Sequence, residues 1–212
     1  MSSTPSLDCG CDRGVEVETT LGRAYVPIMA DTTAKAGLQG VIAAAKQAPG
    51  RGLPPVHLWN PAHCGDIDIV IKRDGRWVHE GATISREALV RLFSTVLRKD
   101  PDGFHLVTPV EKMKITVEDA PFIAVRVDRD GEALKFTTNV GDEVEAGPEN
   151  PIRVENAADG EPRPYVHVRR GLEALIARPV FYELVDMAEE RQGALGVASN
   201  GAWFPIGPAG SP

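Results

Sequence analysis

The sequence predicts an α+β protein in which antiparallel strands outnumber helices, and three features carry that prediction. From Asp66 the residues alternate strictly, with Ile67, Ile69 and Ile71 on one side and Asp66, Asp68, Val70 and Lys72 on the other, the period of a half-buried strand. Leu89, Leu92, Phe93, Val96 and Leu97 recur at helical spacing. Four apolar runs, Phe104 to Thr108, Val110 to Val117, Phe122 to Val127 and Ala133 to Val140, are separated by short polar breaks, which predicts an antiparallel meander.

The chain of 212 residues is long enough to bury a core. Its net charge of -7 provides no electrostatic footprint for nucleic acid or an anionic membrane. Three cysteines make no disulfide framework and suit a reducing, cytoplasmic setting. No apolar stretch approaches the ~20 residues that span a bilayer. These properties exclude a nucleic-acid polymer or a membrane as the expected partner.

Residues 1–33 read as an irregular leader, with Met29 a plausible alternative start, so residues 1–28 are expected to be dispensable. A short helix is expected through Leu38, Val41, Ile42 and Ala45, ended by the Pro/Gly-rich stretch Ala48 to Pro55. Two subdomains follow from these patterns, an α+β unit over 34–103 and an antiparallel β unit with a helix over 104–208.

Within the first unit, Asp74-Gly75 predicts a two-residue hairpin turn that sets Ile71 opposite Val78 and Glu80 on the apolar face. Ser85 predicts the cap of the helix through Leu97, which Lys99-Asp100-Pro101 ends. In the second unit, Asp130-Gly131 is a further tight turn, and Glu111 shares parity with Met113, Ile115 and Val117. Ile152 to Val154 reads as a short strand and Asn156 to Pro164 as a loop. Tyr165 to Val168 reads as a strand running through Gly171 into a helical pattern at Leu172, Leu175 and Ile176, with a second helix beyond Pro179. Asn200-Gly201 predicts a closing hairpin whose last strand Pro205 confines to an edge. The segments Trp77 to Gly81 and Tyr165 to Gly171, both aromatic-Val-His and then Gly, suggest a duplicated strand-helix unit.

The chemistry-bearing residues are scattered. No phosphate loop, nucleophile elbow or zinc-protease helix is present, and no cofactor signature is found. Cys9 with Cys11, and His57, His63, Cys64, Asp66 and Asp68, offer metal-ligand chemistry without a standard spacing, so no metal site is predicted. Glu80 and Glu111 have core parity, where burial raises a carboxylate pKa; either could serve as an acid or base with His79 or His167, or simply pair structurally. Trp77 and His79 offer a stacking surface, Thr138 to Asp142 a donor-rich turn, and Arg169 with Arg170 an anion site at a following helix. A hairpin around Trp203 could dock a protein partner.

Six blocks bear a family likeness: Leu53 to Pro61, Cys64 to Asp68, Leu106 to Lys112, Val117 to Phe122, Thr138 to Asp142 and Tyr165 to Arg169. Together they resemble a bacterial family of unknown function, domain of unknown function 1285, over about residues 34 to 208. The resemblance implies a two-part α+β protein with a duplicated motif and a C-terminal part like a pleckstrin-homology barrel. It also implies a cleft between the parts for a small, nucleotide-like ligand, and a signalling role. Mapped onto this chain, Trp77, Thr108, Glu111, Lys112, Asn139, Asp142, His167 and Arg169 are the expected ligand-binding residues. The leading expectation is a non-catalytic cytoplasmic module for a small ligand; an acid–base enzyme and a protein-interaction adaptor are the alternatives.

Overall fold

Residue 42, residues 53–156 and residues 160–209 are described in the computed structural model; beyond Ile42 they form fifteen strands in three sheets, two α-helices and one short 3-10 turn. Ile42 is helical and packs against the core. The expected leader, the rest of the helix around Ile42, and Cys9 and Cys11 lie outside the described residues. No described helix is long and apolar enough to cross a membrane.

The first sheet contains β1 (His63–Ile71), β2 (Trp77–His79), β3 (Ala82–Thr83), β4 (Leu97–Asp100), β5 (Gly103–Val107) and β6 (Glu111–Val117), in the order β3-β2-β1-β6-β5-β4. Helix α1 (Glu87–Thr95) connects its two halves, and a 3-10 turn at Val56–Leu58 precedes it. The second sheet contains β7 (Phe122–Asp130), β8 (Ala133–Thr138), β9 (Glu143–Glu145), β10 (Ile152–Asn156), β11 (Pro162–Arg169) and β12 (Leu172–Ile176), in the order β10-β11-β12-β7-β8-β9. Helix α2 (Arg178–Asp186) leads into a third sheet, β13 (Glu189–Arg191), β14 (Ala194–Ser199) and β15 (Ala202–Pro208).

Both large sheets are mixed. Each joins two antiparallel three-stranded meanders by laying its first strand parallel to its last, β1 against β6 and β7 against β12. The expected continuous meander from Phe104 to Val140 is therefore divided. Its first two strands complete the first sheet and its last two open the second, so the chain changes sheets between Val117 and Phe122 rather than at the expected 103/104 division.

Local chemistry explains where the expected elements differ from the observed ones. At Asp74-Gly75 only Gly75 has positive φ, at 82°, so the loop takes three residues and Lys72 bonds to Arg76. The register slips by one: Ile71 faces Trp77, not Val78, and a one-residue slip reverses every side chain. Trp77 thus enters the core, 1% exposed and stacked on Phe93 with centroids 6.1 Å apart. Glu80, expected on the apolar face, instead occupies an exposed turn with Gly81, both at positive φ.

The segment Leu172 to Ile176 is a strand, not a helix. Arg170 and Gly171 both have positive φ, the signature of a type I′ turn, and the chain reverses there into the sheet. Leu172, Ala174 and Ile176 are buried at a strand's period of two beside β7. Helix α1 stops at Thr95 because Leu97 begins pairing with Leu106 of β5, and its N-cap is Arg86 rather than Ser85, without a side-chain cap bond. Helix α2 starts beside Pro179, and the Asn200-Gly201 hairpin forms with Ser199 opposite Ala202, both as expected.

One apolar core joins the sheets, from Ile67, Ile69 and Ile71 through Phe93, Phe122 and Phe136 to Leu184 and Phe204. Beside it lies a charged cluster. Lys112 Nζ is 2.7 Å from Asp100 Oδ2, and Arg98 Nε is 2.8 Å from Asp100 Oδ1. His105, 3% exposed, places Nε2 at 3.3 Å from Asp102 and Nδ1 at 3.6 Å from Asp100. Burial first, then Lys112, pushes the His105 pKa down. A histidine held neutral when folded binds fewer protons than when unfolded, so stability should fall as pH drops below about 6.5. Urea titrations from pH 8 to 5 are expected to show this loss, with a shallower slope in His105→Gln; equal slopes would refute the assignment.

Candidate functional site

The expected ligand residues separate into several groups. Trp77 is buried in the core and cannot serve as an open stacking platform. Thr108 is also buried; its Oγ1 accepts the backbone N–H of Val110 at 3.3 Å and of Glu111 at 3.1 Å, which holds the β5–β6 turn. Glu111 is half-buried, with the parity of Met113 and Ile115. Lys112 is committed to Asp100. His167 accepts the Gly171 N–H on Nε2 at 3.0 Å and directs Nδ1 towards the Glu149 carbonyl at 3.1 Å, so both ring nitrogens serve its own sheet.

Arg169, Asp142 and Asn139 lie where the two sheets meet. Arg169 Nη1 pairs with Asp142, Nη2 donates to the Ser94 carbonyl of α1 at 2.9 Å, and the guanidinium lies 5.0 Å from the Phe122 ring centroid. Its α1 contact is near the C-terminal end of the helix, and no helix follows Arg170, so the expected anion site at a helix start does not form. Asn139 accepts the Ile123 N–H at 3.0 Å and donates to the Gly75 carbonyl at 3.5 Å. Gly75 seats this contact: a Cβ there would come within 2.7 Å of Ile123 and 2.8 Å of Asn139. These residues fasten the sheets together.

A cleft between the sheets lies elsewhere. It encloses about 220 Å³, with Lys99 and Phe104 from the first sheet, Asp119 from the connector, and Arg153, Tyr165 and Glu173 from the second. Cross-strand register creates it: Arg153 pairs with Tyr165, and its guanidinium lies 4.3 Å from the tyrosine ring centroid. Arg153 grips Glu173 through Nε at 2.6 Å and Nη2 at 2.7 Å. Tyr165 donates its hydroxyl to Asp119 at 2.8 Å, and Arg163 approaches the other Asp119 oxygen at 3.4 Å.

The electrostatics of the cleft follow from these contacts. Burial, reinforced by the Asp119 carboxylate, pushes the Tyr165 pKa up to about 12, which keeps the phenol a hydrogen donor. Hydrogen bonds from Arg153 hold the Glu173 carboxyl below its usual range despite its burial. Arg153 therefore stands as a cation against ionised Glu173, and Lys99 lines the same cleft. Such a surface offers donors, a cation pair and carboxylates within one small volume.

None of these residues is among the expected ligand-binding residues; Asp119 and Tyr165 fall within the family-like blocks Val117 to Phe122 and Tyr165 to Arg169, without a binding role expected for either. Lys99 reads as a helix stop and Arg153 as part of a short strand, because alternation and spacing do not reveal which strands become neighbours. The other expected chemistry also finds no centre. Asp66 and Asp68 are exposed, and the side chain of His63 lies outside the described residues. Asp100, Asp102 and His105 place potential metal-ligand atoms within 4.8 Å of one another, but Arg98 and Lys112 already match Asp100. Trp203 packs across Gly196, where a Cβ would collide with the indole, with Arg191 5.9 Å from its ring centroid, so it is not a bare docking surface.

Family models match almost all of the described chain: DUF1285, N-terminal domain, at residues 54–120, and DUF1285, C-terminal domain, at residues 121–206. A DUF1285 family protein from Silicibacter pomeroyi, solved by crystallography, is 52% identical, covers 80% of this chain and 95% of its own, and gives a TM-score of 0.73. Another from Shewanella baltica is 26% identical, covers 56% of this chain and 90% of its own, and gives 0.46. No curated protein matches.

Proposed function

Because the chain belongs to the DUF1285 family, and because its polar cleft draws on both sheets, we propose that it is a non-catalytic module binding a small polar ligand between them. The carrying observation is the convergence of Lys99, Tyr165, Arg153 and Glu173 around about 220 Å³. This volume is below the about 300–1,000 Å³ usual for drug-sized ligands, so the guest is the size of a nucleobase or an amino acid rather than a whole nucleotide. Mixed charge favours a zwitterionic or hydrogen-bonding guest over a polyanion.

A guest touching Lys99 and Arg153 contacts both sheets, so its binding tightens their junction. That is the physical basis we assign to a cytoplasmic signalling role. The matching strand order of the sheets supports reading them as two copies of one ancestral unit, with the second sheet and α2 as the pleckstrin-homology-like part.

Thermal unfolding with nucleobases, nucleosides and amino acids tests the proposal, since a ligand at 100 times its Kd stabilises by about 2.7 kcal/mol. At least one compound should raise Tm in the wild type and lose its effect in Arg153→Ala. Failure of every compound, or equal stabilisation of the variant, would contradict it.

A further inference from the structure

A second cavity is separate from this cleft. It encloses about 390 Å³ where the start of β11 and the end of β12 meet the first turn of α2. Its walls include Pro164 and Leu175 from the strands, and Phe181 and Tyr182 from the helix. Tyr182 remains exposed although it is aromatic, and Phe181 is only half-buried. The volume lies within the range of small-molecule pockets, and aromatic and aliphatic walls favour an apolar body.

Two arginines, Arg163 and Arg178, and one carboxylate, Glu161, supply the charged part of the lining. Their own carboxylate partners hold them weakly. Arg178 meets Glu161 at 2.5 Å across an exposed pair, and exposed pairs contribute little. Arg163 reaches Asp119 only at 3.4 Å. The α2 start adds positive polarity: its N-cap is Ala177, which supplies no side-chain oxygen, and Pro179 stands in the first turn. An incoming carboxylate would thus find two guanidinium groups whose present ion pairs are exchangeable, directly above an apolar wall.

We infer that this cavity binds an amphipathic monocarboxylate, its apolar body against Phe181, Tyr182 and Leu175 and its carboxylate between Arg163 and Arg178. Charge complementarity at one end and apolar walls at the other select this class over neutral hydrophobes and over highly polar anions. The cavity is distinct from the inter-sheet cleft, with Arg163 also reaching Asp119 of that cleft.

Ligand-observed NMR and calorimetry with phenylacetate and octanoate test the inference, using 2-phenylethanol and octanol as neutral counterparts. At least one carboxylate should bind the wild type, with its alcohol at least tenfold weaker. The double variant Arg163→Gln/Arg178→Gln should weaken the carboxylate about tenfold, and Phe181→Ala should weaken it separately. Arg153→Ala should leave it unchanged, which distinguishes this site from the cleft. Circular dichroism identifies any unfolded variant; Arg178→Gln alone, at an exposed position, then supplies the charge test with at least a threefold loss. No carboxylate binding to the wild type, alcohols binding equally well, or full affinity in the folded arginine variants would overturn the assignment.

Discussion

Gly75→Ala is expected to destabilise the protein by about 3 kcal/mol, the sum of a left-handed backbone cost of about 1–2 kcal/mol and an overpacking cost of about 1–3 kcal/mol. Gly75 has φ of 82°, and its missing side chain is the space into which Ile123 and Asn139 fit. A Cβ would press one sheet away from the other at the very contact where Asn139 donates to the Gly75 carbonyl. Chemical denaturation should show a lower midpoint. Pairing the change with Ile123→Ala, which removes the Cγ1 atom that the new Cβ would meet, should cost less than the sum of the two single changes if the clash contributes, whereas backbone strain alone would leave the two losses additive.

Arg169→Met is expected to cost about 3 kcal/mol, the lower end of the 3–5 kcal/mol observed when one partner of a buried ion pair is removed. The lower end applies because Arg169 and Asp142 retain 15% and 22% side-chain exposure. The change strands the Asp142 carboxylate and removes the donor to the Ser94 carbonyl, whose residue is buried. Adding Asp142→Asn should recover part of the loss by removing the unmatched charge. Equilibrium unfolding of both single variants and the double variant measures that coupling. Additive losses would mean that Arg169 acts through Ser94 and Phe122 alone.

Both predictions concern the junction between sheets, and the sequence makes the sheets far more legible than the junction. Ile67, Ile69 and Ile71 declare their strand because they recur at every second position with Asp66, Asp68 and Lys72 on the other side, and they are buried as that alternation requires. Phe93 and the first turns of α1 follow from helical spacing in the same way. Leu172 to Ile176 is illegible because its apolar residues satisfy both periods, and the deciding fact is a parallel neighbour distant in sequence. The turns at Glu80-Gly81, Arg170-Gly171 and Gln192-Gly193 all place a non-glycine residue at positive φ. Asparagine, aspartate or glycine ordinarily signals that geometry, so only Asn200-Gly201 announces itself.

The candidate site is less legible still. Arg169 and Asp142 do approach each other, as the expected convergence required, but they fasten the sheets rather than line an open cavity. The cleft residues Lys99, Asp119, Arg153 and Glu173 come from separate strands and a connector. Their proximity depends on β10, β11 and β12 being neighbours and on the chain crossing between sheets after Val117. A single sequence records the charges without recording that order.

Co-crystallisation with the compound that most raises Tm provides the most direct measurement of the binding account. Electron density for that compound should touch both Lys99 and Arg153, with Tyr165 still donating to Asp119. Density confined to another surface, or a cleft containing only water under saturating compound, would contradict it.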